Sequence, residues 1–117
     1  MTKISLAAPN YSRKFTTTSS RLVANEPGYY ECEAELDYAN GTVASSLHHI
    51  YIIKNGAASS FAYSWNQSAG AGTYVKTATS GIVFLNGTTD YVELYGWQNT
   101  GGTQTTGNNS ILRCTYV

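Results

Sequence analysis

Side chains able to do acid–base, metal or nucleophilic chemistry are few in this chain, and most are wrongly spaced for it. The two histidines, His48 and His49, are adjacent. On a strand, neighbouring side chains point to opposite faces, so this pair cannot chelate one ion. There is no third histidine and no H-E-x-x-H or C-x-x-C spacing, so a zinc site is not expected. Both histidines read as loop-edge residues. A G-x-S-x-G elbow, a Walker loop and a dinucleotide glycine motif are all missing. Carboxylates cluster once, as Glu31, Glu33 and Glu35 at every second position. On a strand they form a row spaced about 6.8 Å, twice the strand rise. Such a row suits a hard cation such as Ca²⁺, but a solvated or salt-bridged face is its commoner use. The expectation is no catalytic residue, no metal and no cofactor. The aromatics offer binding instead. Trp65, in Tyr63-Ser-Trp-Asn-Gln67, with Asn66, Tyr63 and the polar 98–109 loop, suits sugar faces stacked on rings with amides on the hydroxyls. The competing reading is a tryptophan that plugs one end of a sandwich.

The elements that must position these residues follow from composition and period. A chain of 117 residues has room for one domain. At that size it buries roughly two-thirds of its unfolded surface, enough to fold without disulfide or metal. Seven basic residues balance seven acidic ones, which removes the electrostatic argument for nucleic acid or an anionic membrane. Charged residues are 12%, about half the usual share, and the difference is made up by Thr, Ser, Asn, Gly and ten tyrosines. That is the composition of an all-β domain, and its low charge favours self-association. No apolar run approaches the roughly 18 residues of a membrane span, and the first residues lack the apolar core of a signal peptide. Sequons at Asn10, Asn40, Asn66, Asn86 and Asn108 are accordingly read as unused.

Residues 1–22 read as an N-terminal arm or edge strand carrying Lys3, Arg13, Lys14 and Arg21, and 23–117 as the body. Asn25-Glu-Pro-Gly28 is a turn. Tyr29 to Tyr38 alternates strictly: Tyr30, Cys32, Ala34, Leu36 and Tyr38 on one face, Tyr29, Glu31, Glu33, Glu35 and Asp37 on the other. A period of two over that length is a half-buried strand. Further strands are expected at 48–54, ending in the hairpin signal Asn55-Gly56, and at 61–65, 73–78, 81–85, 90–97 and 111–117. Seven or eight short strands with regular turns make a two-sheet antiparallel β sandwich or jelly roll.

Several blocks, in order, resemble the TNF-like jelly-roll superfamily, which includes the complement-type globular heads. They are Pro27-Gly-Tyr-Tyr before the alternating strand, an aliphatic strand ending Lys54-Asn-Gly56, Ile82-Val-Phe-Leu followed by Asp90-Tyr-Val-Glu-Leu, and a hydrophobic strand that closes the chain. The resemblance covers residues 27–117. One departure is the longer turn Asn86-Gly-Thr-Thr-Asp90, where the family pattern has Gly-Asp. Stand-alone sequences of this style also resemble bacteriophage virion proteins.

The resemblance implies that the 29–38, 90–97 and C-terminal strands lie side by side, with their outer faces around a threefold axis. The implied trimer interface is Tyr29, Glu31, Glu33, Tyr91, Glu93, Tyr95, Trp97, Arg113, Thr115 and Val117, a patch too aromatic for a solvated face. Arg113 is the expected partner of Glu31 or Glu33, with Arg13, Lys14 and Arg21 as further counter-charges. It also makes the strands of Cys32 and Cys114 neighbours. A cross-strand disulfide is then conceivable, but two reduced core thiols are the favoured reading. The expected function is that of a non-enzymatic virion structural protein, made in the host cytoplasm. It would be a trimeric capsid decoration or tail-fibre tip whose partners are its own copies and a larger capsid or tail protein. The alternative is a carbohydrate- or receptor-binding, lectin-like module with a surface glycan as partner. Neither nucleic acid nor membrane insertion is expected.

Overall fold

A computed structural model describes residues 2–3, 15–18, 21–38, 45–57, 59–70, 75–100 and 110–117. The strands are β1 (Thr2–Lys3), β2 (Phe15–Thr18), β3 (Arg21–Ala24), β4 (Gly28–Tyr38), β5 (Leu47–Lys54), β6 (Ala62–Gln67), β7 (Val75–Leu85), β8 (Tyr91–Gln98) and β9 (Ile111–Tyr116). All pairings are antiparallel, and no helix occurs among the described residues. One sheet runs β2-β3-β8-β5-β6, with β1 also on β8, and the other runs β7-β4-β9. The chain is thus a two-sheet antiparallel β sandwich. β3 straddles the division expected between arm and body, and its Leu22 is fully buried.

The alternation read in β4 is the one observed: Tyr30, Cys32, Ala34, Leu36 and Tyr38 all face the core. Leu112 and Cys114 from β9 and Val83 and Leu85 from β7 join them. Leu22, Ile50, Ile52, Val92 and Leu94 come from the facing sheet. Each fully buried Leu or Ile contributes roughly 1.5–3 kcal/mol of apolar transfer. His48 is buried within this core, edge-on to Tyr38 at 4.6 Å, and so is not a loop-edge residue.

Two strands expected at 73–78 and 81–85 are one continuous strand, β7. It pairs with β4 along its whole length, from Gly28↔Leu85 to Tyr38↔Val75. Gly81, where the second of those strands was expected to begin, is a point of close approach. A Cβ there would meet the Phe61 carbonyl oxygen at 3.0 Å and the Ala62 Cβ at 3.1 Å. The thiols also differ from expectation. Cys32 and Cys114 are directly opposed in the β4–β9 ladder and joined as a disulfide. Direct register on a shared inner face brings the two sulfurs together.

The two turn motifs meet at one end of the sandwich. Asn86 Oδ1 accepts from the backbone N–H groups of Thr88, Thr89 and Asp90, each at 3.0 Å, which folds 86–90 into a closed loop. Gly87 has φ +80°, and a Cβ there would lie 2.5 Å from Glu26 and Pro27 backbone atoms, so only glycine fits. Asp90 Oδ1 accepts from Asn55 Nδ2 at 2.7 Å, and its Oδ2 from the Asn86 N–H at 2.9 Å. Lys54 Nζ lies 3.1 Å from Asp90 Oδ2 and donates to the Phe84 carbonyl at 2.8 Å. Asn55 Oδ1 accepts from the Tyr91 N–H at 2.9 Å. Lys54 and Asn55 at the end of one sheet and the Asn86 backbone at the end of the other therefore share one carboxylate. Burial raises the Asp90 pKa, but the bonds from Asn55, Lys54 and the Asn86 backbone, with the Lys54 charge, outweigh it. The net shift is downward.

Candidate functional site

The ten residues expected on one interface occupy two surfaces. β8 belongs to the six-stranded sheet, paired with β3 and β5, and not to the sheet of β4 and β9. Tyr29, Glu31, Glu33, Arg113, Thr115 and Val117 lie on the outer face of the three-stranded sheet. Tyr91, Glu93, Tyr95 and Trp97 lie on the outside of the other. The two groups face away from each other across the sandwich, so no single threefold axis is lined by both.

On the three-stranded sheet, Tyr29 pairs in register with Phe84, and Glu31 stands between Ile82 and Thr115. The Val117 N–H bonds to the Tyr29 carbonyl, which sets Val117 beside it. Tyr29, Ile82, Phe84 and Val117 are between 44% and 69% exposed, an apolar cluster at one end of the face. Tyr29 and Phe84 make an edge contact at 5.4 Å. Further along, Arg113 bonds Glu33, its directly opposed residue, and Lys76 lies 3.7 Å from Glu35. Between these pairs is an open depression of about 250 Å³ lined by Glu33, Glu35, Ala78, Ser80, Ile111 and Arg113. The expected counter-charge Arg21 is elsewhere, and Arg13 and Lys14 lie outside the described residues.

On the six-stranded sheet the register builds a grid of rings. His49 is opposed by Trp65 on β6 and by Trp97 on β8, and Tyr51 by Tyr63 and Tyr95. Trp65, Tyr63 and Trp97 are 39–54% exposed, while His49, Tyr51 and Tyr95 are half-buried. Tyr51 and Tyr63 stack at 5.1 Å, and His49 meets Trp97 edge-on at 4.8 Å. The hydroxyls of Tyr51 and Tyr63 lie 3.2 and 3.0 Å from His49 Nδ1. Burial, then the neighbouring His48, lowers the His49 pKa. Burial, then Tyr63, raises that of Tyr51. We therefore assign a neutral imidazole that accepts at Nδ1 and carries its proton on Nε2, an enclosed atom with no hydrogen-bond partner among the described residues. Glu93 does not face solvent. It is buried, with Arg21 Nη2 at 3.1 Å and the Tyr95 hydroxyl donating to it at 3.4 Å. The Arg21 guanidinium in turn covers the Tyr91 ring at 3.9 Å.

Of the sugar-stacking candidates, Trp65 and Tyr63 join this grid and Asn66 does not. Asn66 alternates to the other face, where its Nδ2 donates to the Lys76 carbonyl at 3.2 Å. Beyond Thr100, the 98–109 loop lies outside the described residues. Sequence reasoning missed four members of these surfaces. His49 and Tyr51 were visible in the β5 alternation, but only the register shows them between Trp65 and Trp97. Ile82 and Phe84 sat in an apolar run whose outward face is shown by the β4 pairing. Among the described residues no group of three or more His, Cys, Asp or Glu side chains is placed to hold a metal ion.

The fold and surfaces thus define a two-sheet β sandwich with two dissimilar outer faces. No protein-family model matches the chain, and no curated protein matches it.

Proposed function

We propose that this chain is a non-enzymatic virion structural protein, a TNF-like jelly roll that assembles as a homotrimer and serves as a capsid decoration or tail-fibre tip. The observation that carries the reading is the exposed cluster Tyr29, Ile82, Phe84 and Val117. A sheet face with four large apolar side chains open to water gains free energy when a second copy covers them. Glu31 and the Glu33–Arg113 pair beside the cluster form the polar rim that accompanies such an apolar centre. A chain with no net charge has little repulsion to oppose assembly. The disulfide fits the setting, since such bonds persist on virion and cell surfaces and are rare in reducing cytosol. Nothing in this reading uses the aromatic grid, which stays on the far side of the sandwich.

Light scattering on the eluting peak tests the assembly. A trimer of the 12.6 kDa chain elutes at about 38 kDa. Ile82→Lys or Phe84→Lys converts it to monomer with unchanged circular dichroism. A wild-type monomer at all concentrations refutes the assembly, as does a folded Ile82→Lys, Phe84→Lys double variant that stays trimeric. Mass spectrometry of purified particles tests the virion placement.

A further inference from the structure

We infer that the aromatic grid on the outside of β5, β6 and β8 is a binding site for an uncharged oligosaccharide. The rows that build it are Trp65–His49–Trp97 and Tyr63–Tyr51–Tyr95, fixed by direct register across three strands. Trp65 and Trp97 are separated by two inter-strand steps, about 10 Å. That span is longer than one pyranose ring, so the ligand is an oligosaccharide laid across the strands.

Three features select this chemistry. First, the rings are held in place before any ligand arrives. Tyr63 stacks on Tyr51, both hydroxyls meet His49 Nδ1, and Trp97 rests against His49. Such rigid amphipathic rings lose little conformational entropy when covered. Second, polar groups border the rings. Gln67 and Asn99 both flank Leu47 in the next row and are exposed. Gln67 Nε2 donates to the Ser45 carbonyl at 3.2 Å, and Asn99 Oδ1 accepts from the Leu47 N–H at 2.7 Å. The other amide atoms are Gln67 Oε1, an acceptor, and Asn99 Nδ2, a donor. They match hydroxyls, which do both. Third, none of the described side chains in these rows is charged, and the next charged pair, Arg21–Glu93, is internally neutralised. Single-stranded nucleic acid also stacks on aromatic rings, but it needs a basic groove along its backbone. An anionic glycan likewise finds no cation among the described side chains of these two rows; Lys3 on β1 is paired with Tyr95 at their end.

The chain has two tryptophans, and both are in this grid, so tryptophan emission, excited selectively over the ten tyrosines, reports on the site alone. The full-length protein is screened on an array carrying neutral and sialylated oligosaccharides, and each hit is titrated free in solution by tryptophan fluorescence. Neutral oligosaccharides are expected to bind and to shield both tryptophans from acrylamide quenching. Trp65→Ala and Trp97→Ala each weaken binding at least tenfold, while Ile82→Ser, on the opposite face, leaves it unchanged. Absence of any neutral glycan hit at millimolar ligand overturns the inference, as does a response confined to sialylated glycans or nucleic acid. Undiminished binding on the array by a folded Trp65→Ala, Trp97→Ala double variant, which has no tryptophan left to titrate, overturns it too. A change in oligomeric mass in that double variant, without glycan binding by the wild type, assigns the grid to a second copy of the chain instead.

Discussion

Asp90→Ala tests whether the two sheets are fastened at one end by a single carboxylate. In the native chain that carboxylate accepts from Asn55 Nδ2 and the Asn86 N–H and faces the Lys54 ammonium. Truncation leaves all three donors without it. A hydrogen bond to a charged acceptor is worth about 1.5–3 kcal/mol, and those at a partly wet edge fall at the low end. The Lys54 side chain is about a third exposed, so solvent screens its contribution to a few tenths of a kcal/mol. The expected loss is about 3 kcal/mol. For a chain of this length 1 kcal/mol moves Tm by roughly 4 °C, so Asp90→Ala should melt about 12 °C lower. Differential scanning calorimetry at one fixed protein concentration reads this, because assembly makes Tm concentration-dependent. Thr88→Ala, in the same turn but with an exposed side chain, should change Tm by less than about 2 °C. The pH dependence has a definite sign. The carboxyl is held below its ordinary 3.8, so the unfolded chain binds more protons in the interval between the two values. The stability difference between wild type and Asp90→Asn is complete above about pH 4 and shrinks as pH falls below 3.8 through the lowered value. A Tm loss under about 3 °C for Asp90→Ala, or a difference that grows on acidification, refutes the fastening.

Two other outcomes follow from buried groups. The Cys32–Cys114 bond closes a loop with a sequence separation of 82, worth about 4.5 kcal/mol in the chain-entropy account. Reduction, or Cys32→Ser with Cys114→Ser, should lower Tm by about 18 °C. Two free thiols by mass spectrometry in the unreduced protein would contradict the bond. His49 has its pKa lowered from 6.5, so the unfolded chain takes up the proton first, and stability should fall as pH drops from 6.5 toward the folded value. Denaturant titrations of wild type and His49→Gln across pH 5–8 should differ in slope over that interval. Parallel curves would show that the imidazole is not held neutral.

Period and composition carried the architecture a long way. β4 was legible because five inward and five outward side chains alternate without a break, and any register error would bury glutamates. The division of β7 went wrong because a mid-strand glycine has two uses, turn and close approach, and nothing local separates them. The partner of β8 was not legible either. Tyr91 to Gln98 alternates cleanly whichever sheet it joins, because alternation fixes faces and says nothing of neighbours. That ambiguity merged two surfaces into one. The same gap hid the role of the Asn86 turn. Its side chain bonds the Asp90 N–H within the turn, but the Asn55 side chain reaches the Asp90 carboxylate from 35 residues away, a meeting that only the assembled sandwich makes.

The corrected topology makes the aromatic excess easier to understand than a single trimer face did. Each outer face now has its own composition. The three-stranded sheet carries the carboxylate row, its two cationic partners and a compact apolar end, which suits a protein surface of fixed orientation. The six-stranded sheet carries the grid of rings and, apart from the Arg21–Glu93 pair, no described charged side chain in or beside its ring rows. Opposite charges in register orient one protein against another, whereas rings without charge accept any flat apolar face, such as the C–H face of a sugar. Because the faces point apart, a trimer formed through the first would turn three copies of the second outward. Weak sites presented together gain avidity without any added contact. A monomeric Ile82→Lys variant should therefore keep its affinity for a free oligosaccharide in solution but lose retention on a dense glycan surface. Equal loss in both formats would mean that the two faces are not independent.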